Sequence, residues 1–135
     1  MTDPMHATLL AQAREAAAAA YAPYSDFHVG AVVVADDGRV FTGANIENSA
    51  YGATICAEAN AISTAAASGV RKIDTVAVAC LDTGECYPCG NCRQVMREFN
   101  VDSVIVQEPS GGYRVHTLAE LLPRAFGPDQ LSGSG

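Results

Sequence analysis

Positive charge is scarce in this chain. Eight Lys+Arg stand against fifteen Asp+Glu in 135 residues, a formal charge of −7. The basic residues are Arg14, Arg39, Arg71, Lys72, Arg93, Arg97, Arg114 and Arg124, and they gather into nothing larger than a pair. A nucleic-acid binder needs a basic stripe to neutralise phosphates, so DNA and RNA are not expected as partners. An anionic membrane surface is disfavoured on the same ground. Long apolar runs are missing too. The uncharged stretch Ala16–Ser25 contains Pro23 and falls far short of the roughly 20 residues that span a bilayer. No secretory signal is expected either: Asp3 and Pro4 stand where a basic segment would be, and Arg14-Glu15 interrupts any apolar run. The expected location is therefore the cytoplasm. In a reducing compartment five clustered cysteines read as metal ligands or thiols more readily than as disulfides.

With 49% hydrophobic and 17% charged residues, the chain has the balance of a soluble globular protein. Its length suits one domain with a modest core. We expect residues 1–131 to form that domain and 132–135, Ser-Gly-Ser-Gly, to be a disordered tail. Neither a repeat nor a linker is visible.

Local patterns give an order of elements. Residues 5–20 predict a helix, with Leu9, Ala13, Ala16 and Ala20 on one face and Ala, the best helix former, in a run. Pro23 stops it. Two β-branched runs, His28–Ala35 and Arg39–Ile46, flank Asp36-Asp37-Gly38 and predict a hairpin. A loop over 47–54 leads to a second helix that starts near Cys56 and stops at Gly69. A strand over Ile73–Cys80 follows. Pro88 suits the first turn of a helix from Cys89 to about Asn100. Strands over Ser103–Glu108 and Tyr113–His116 flank Pro-Ser-Gly-Gly, and Thr117 caps a short helix through Leu122. The central βαβαβ unit implies an α/β sheet with crossover helices, and its site belongs at the strand carboxyl ends.

Both crossover helices begin at a cysteine. One opens Cys56-Ala57-Glu58 and the other Pro88-Cys89-Gly90-Asn91-Cys92. Cys89 and Cys92 are three apart, so their sulfurs share a helix face. Three thiolates with an open fourth position suit a catalytic zinc, one per chain, with Glu58 beside it to move protons. A His or Cys ligand near a Glu, followed by Pro-Cys-x-x-Cys, is the pattern of zinc deaminases, in which the Glu is not a ligand. None of His6, His28 and His116 begins a His-x-Glu, so Cys56 takes the first ligand position. Blander readings stay open. Cys86, three before Cys89, allows a closed four-cysteine structural site or a thioredoxin-like pair. An iron–sulfur run fails because Met96 stands at its fourth position. Cys80 reads as core, and Glu58 alone would be an ordinary helix-start carboxylate.

The chain resembles the small homotetrameric cytidine deaminases, with blasticidin S deaminase as a relative. The resemblance is carried by Tyr21–Ala31 (YAPYSDFHVGA), Thr42–Glu58 (TGANIENSAYGATICAE), Pro88–Phe99 (PCGNCRQVMREF) and Glu120–Pro128 (ELLPRAFGP). It implies a three-layer α-β-α fold around a mixed five-stranded sheet, and zinc-dependent deamination of cytidine and 2′-deoxycytidine. It also implies roles by residue. Cys56, Cys89 and Cys92 would hold zinc, and Glu58 would shuttle protons. Asn45 and Glu47 would hold the ribose 3′-hydroxyl, Phe27 would pack beside the nucleoside, and Ala57 would offer backbone groups to the pyrimidine. Tyr51 and Phe126 would complete a neighbouring subunit's pocket. Core packing is the plainer reading of Phe27 and Phe126, and turn chemistry that of Asn45 and Glu47. Two positions depart from the family pattern: Ala59 stands where an Arg that hydrogen-bonds the thiolates is common, and Ala44 replaces a common Cys. The first leaves room for a modified cytosine nucleoside as substrate. A non-catalytic zinc-stabilised or redox module is the alternative of another class.

Overall fold

The structure, a computed structural model, describes residues 4–82 and 84–132. Five strands form one mixed sheet: β1 (Val29–Ala35), β2 (Val40–Ala44), β3 (Ile73–Cys80), β4 (Ser103–Gln107) and β5 (Tyr113–Thr117), in the order β2-β1-β3-β4-β5. The apolar run of β1 is buried on both faces, the requirement of a central strand. The shorter β2 is half-exposed, as an edge strand is. They meet through the predicted turn, where Gly38 takes φ 90° and the Asp37 carboxylate accepts from Arg39 N at 3.0 Å.

The βαβαβ order is present with one insertion. β1 is antiparallel to both β2 and β3, so β2 and β3 run the same way with β1 between them. β3 and β4 are parallel neighbours, and β5 returns antiparallel.

Helices cover both faces, giving the three layers. α1 (Pro4–Ala17) packs Leu9, Leu10 and Ala13 on Val32, Ala77, Ala79 and Ile105. Its buried stripe runs Leu9–Ala13–Ala17, not through Ala16 and Ala20. After Ala17 the amides of Ala18, Ala19 and Ala20 bond three residues back, and the helix tightens into a turn before Pro23. A Cβ on Gly30 would stand 1.9 Å from the Ala13 carbonyl, so α1 lies directly on the backbone of β1.

The opposite face carries α2 (Ala57–Ala67) and α3 (Gly90–Glu98) over a core that includes Val33, Ile62, Val76, Met96 and Val104. Gly43 gives α2 the same close seat, since its Cβ would come 2.7 Å from Ala57 O and 2.6 Å from Ala61 N. Gly69 ends α2 as predicted, at φ 95°, with Gly69 N bonded to Ala66 O and Val70 N to Ala65 O. Pro88 lies one residue before the cap of α3 rather than in its first turn, because Cys89 takes the cap. α4 (Leu118–Leu121) opens with Thr117 and Glu120 bonded reciprocally, and α5 (Pro128–Ser132) follows. Of the expected tail, Ser132 is the last residue of α5, and 133–135 lie outside the described residues. Among the described residues no helix is long and apolar enough to cross a membrane.

Candidate active site and metal centre

β2 and β3 run the same way, so the segments that leave them emerge at the same end of the strands and their helices start side by side. Cys56 caps α2 and Cys89 caps α3, both in extended backbone, and neither side chain is spent on capping its helix. Cys92 sits in the first turn of α3, fully buried. The three sulfurs all lie within 4.8 Å of one another, with Cys56 Sγ and Cys89 Sγ 3.9 Å apart. A tetrahedral ion with Zn–S near 2.3 Å requires sulfurs roughly 3.8 Å apart. The donor set and its spacing fit zinc. Cys86 stays out of the cluster, so the closed four-cysteine site is not formed. Cys86 is buried in the core beside Cys80, and burial pushes its thiol up.

The thiols are electrostatically unequal. A hydrogen bond from Cys92, with a lesser one from Cys89, brings Cys56 down to about 6 against the cost of its burial. The same bond, reinforced by burial and by the charge of Glu58, pushes Cys92 up. The Cys56 thiolate forms readily while Cys92 resists ionising, which is a site that gains from a cation. The amino-terminal ends of α2 and α3 both face the cluster and offset part of its negative charge.

Glu58 follows Cys56 by two residues in the first turn of α2 and is only 4% exposed. Burial pushes its carboxyl up to about 7, with the Cys56 thiolate adding to the shift and its own backbone N–H opposing it. A carboxyl held there can both take and give a proton near neutrality.

Above the cluster lies a cavity of about 360 Å³ that brings Phe27, Asn45, Cys56, Ala57, Glu58 and Cys89 together. Asn45 is buried; its Oδ1 accepts from Val29 N and its Nδ2 donates to Phe27 O, both at 2.9 Å. Glu47 and Tyr51 lie in an adjoining hollow, joined to the first by Thr54, which lines both. The Glu47 carboxylate accepts from the amides of Tyr24 and Ser25 at 2.9 and 3.1 Å and from the Ser25 hydroxyl. Phe126 stands apart from both hollows, 56% exposed, its carbonyl held by Gln94 Nε2 at 2.9 Å. Sequence reasoning missed Thr54, Glu85 and Tyr87, which also line the main cavity. No local pattern marks them.

A family model described as "Cytidine and deoxycytidylate deaminase zinc-binding region" matches residues 4–108. The chain belongs to that family. The cytidine deaminase of Sporosarcina psychrophila is 44% identical over 126 residues, 92% of this chain and 93% of the relative. That of Mycobacterium tuberculosis is 43% identical over 125 residues, 91% of this chain and 90% of the relative. The crystal structure of cytidine deaminase from Burkholderia pseudomallei superposes with a TM-score of 0.83 at 43% identity, covering 93% of this chain and all of that one. The mixed sheet with helices on both faces is thus the family fold. Zinc is the family's metal, and Cys56, Cys89 and Cys92 form a group that could hold it here.

Proposed function

We propose that this chain is a cytidine deaminase, converting cytidine and 2′-deoxycytidine to the corresponding uridines with release of ammonia. The observation that carries this reading is the buried Glu58 carboxyl set against three convergent thiols at the floor of a cavity. A structural metal site has no need of such a carboxylate, which argues against a non-catalytic zinc or redox module.

Zinc, when bound by Cys56, Cys89 and Cys92, supplies Lewis acidity that lets water ionise near neutral pH. Glu58 takes a proton from the attacking water and passes it to the ring nitrogen beside the amine-bearing carbon. The water oxygen bonds to that carbon. Glu58 then carries the proton of the new hydroxyl to the amine, the carbon–oxygen double bond forms as the carbon–nitrogen bond breaks, and ammonia leaves with its electron pair. Ala57, buried in the cavity wall, offers backbone groups to the pyrimidine, and Phe27 packs beside it. Asn45 and Glu47 hold the ribose 3′-hydroxyl. Each end of the Asn45 amide has a further hydrogen-bonding site beyond the one used on Val29 or Phe27. Tyr51 and Phe126, 80% and 56% exposed, complete the site of an adjacent subunit in a homotetramer. The enzyme works in the cytoplasm, where its five thiols stay reduced, and serves pyrimidine salvage.

An ultraviolet assay on cytidine, deoxycytidine, cytosine, CMP, adenosine and blasticidin S tests the reading. Turnover confined to the two cytosine nucleosides is expected. Turnover of blasticidin S alone would move the function to a modified nucleoside, and turnover of none would return it to a non-catalytic module. Light scattering tests the tetramer, and a fully active monomer would remove the shared site.

A further inference from the structure

The cavity has a wall that the reading above leaves without a role. Tyr87 lines it from the connection between β3 and α3, with only the fully buried Pro88 between it and Cys89. The Tyr87 hydroxyl lies 2.9 Å from His116 Nε2, and His116 Nδ1 lies 3.4 Å from Glu120 Oε2. Glu120 is fixed in turn by the amide and hydroxyl of Thr117, at 3.0 and 3.1 Å.

We infer that Tyr87, buttressed by His116 and Glu120, is a specificity-determining residue for the base of the nucleoside. The inference rests on the deaminase reading, because it places the reacting carbon above the three sulfurs and Glu58. Asn45 and Phe27 wall the cavity from the β1–β2 side. Tyr87 is tied through Pro88 to a metal ligand, so it stands beside the edge of the base that carries the amine rather than beside the sugar.

The relay explains why this side chain is a wall and not a loose flap. His116 lies on β5 opposite Val104, whose side chain joins the core under α2 and α3. Paired residues share a face, so the imidazole projects to the site's side of the sheet, where it is 16% exposed. With Nδ1–H donating to Glu120, Nε2 is left as an acceptor for the Tyr87 hydroxyl. The two rings also pack, with centroids 5.4 Å apart at 52°. A rim tyrosine could satisfy its hydroxyl with water. A histidine and a carboxylate set in series behind it restrict its rotamers before substrate arrives, and a pre-set aromatic wall discriminates by shape. Misfit of a single methyl group in such a pocket is worth about 10–200-fold.

The test compares cytidine with 5-methylcytidine and N4-methylcytidine by kcat/KM on the zinc-loaded enzyme. In parallel it compares the affinities of uridine and 5-methyluridine by calorimetry, which needs no turnover. Tyr87→Ala should raise the substituted-to-unsubstituted ratio about tenfold or more in both. Tyr87→Phe and His116→Gln should each raise it by a smaller, matching amount, and the double variant should go no further, because both break the same bond. If Tyr87→Ala does not fold, the Phe and Gln variants carry the same comparison. An active wild type whose ratios move less than about twofold in these variants overturns the inference and leaves Tyr87 a staple between the loop and β5. A wild type that neither converts nor binds any pyrimidine nucleoside overturns the functional reading, and this inference with it.

Discussion

Cys56 and Cys89 are 33 residues apart in the chain and 3.9 Å apart at their sulfurs. Two parallel strands and two helix caps make that meeting. Everything chemical about this protein follows from it, since neither motif can hold a metal alone.

Elemental analysis should find one zinc per chain. Cys56→Ser, Cys89→Ser and Cys92→Ser should each lose most of it, because only three sulfurs converge. Cys86→Ser should keep a full complement. Loss of zinc from Cys86→Ser would revive the closed four-cysteine site.

Glu58→Gln should retain the fold and the metal while losing nearly all activity. General acid–base groups are worth about 10²–10⁴-fold, and the proposed mechanism gives Glu58 more than one transfer, so the upper end is expected. Steady-state rates on cytidine check this; more than about a tenth of wild-type activity would remove Glu58 from the proton path.

The glycine seats under α2 and α1 make a packing prediction. Gly43→Ala must push α2 away from β2, since the added carbon meets backbone on the first turns of that helix. Overpacking costs about 1–3 kcal/mol, and because Cys56 caps α2, zinc affinity should fall along with the denaturation midpoint. Gly30→Ala should destabilise through α1 and leave zinc affinity nearly untouched. Gly52→Ala, with nothing within 4 Å of the added carbon, is the neutral control. Equal zinc affinities in the Gly43 and Gly30 variants would break the link between seat and site.

The Glu47 anchor predicts an acid sensitivity. The Ser25 hydroxyl, and then the amides of Tyr24 and Ser25, hold its carboxyl below the ordinary value of 4.5. A depressed carboxyl stabilises the fold fully above its unfolded value, and that contribution is lost as pH falls through the folded one. Melting temperatures at about pH 6 and pH 3 should therefore fall less for Glu47→Gln than for wild type. Asp82 and Glu120 are depressed as well, so the quantity that decides is the difference between the two proteins. A parallel decline would show that the Glu47 bonds do not hold the loop.

Much of this architecture was legible because it is local. The Asp-Gly turn, the Gly69 stop, the β3 span and the cysteine-capped helices each depend on a few adjacent residues. The insertion of β1 between β2 and β3 was not, because the side-chain period of a strand says nothing about its neighbours. Two-sided burial of β1 was visible in its unbroken apolar run and could have suggested a central place. At the site, the residues proposed to hold zinc and move protons lay in motifs. The bonds of Asn45 to Phe27 and Val29 tie the residue after β2 to the chain entering β1, and the contact of Tyr87 with His116 spans 29 residues; no spacing rule reaches such pairs. Pro88 was misplaced by one residue because a proline fits either side of a helix cap.

The strand order also carries a kinetic consequence. To bring Cys56 beside Cys89, the chain must lay β3 against β1, cross back with α3 and seat both helices. The three-sulfur cluster needs both helix caps already seated, so it closes late. Its affinity for metal is then a property of the finished fold and not a guide to it. Zinc should leave the refolding rate nearly unchanged and slow unfolding instead, since interactions absent from the transition state act on the unfolding limb. Stopped-flow refolding and chelator-challenged unfolding, each with and without zinc, would show the ion as a latch on a closed door.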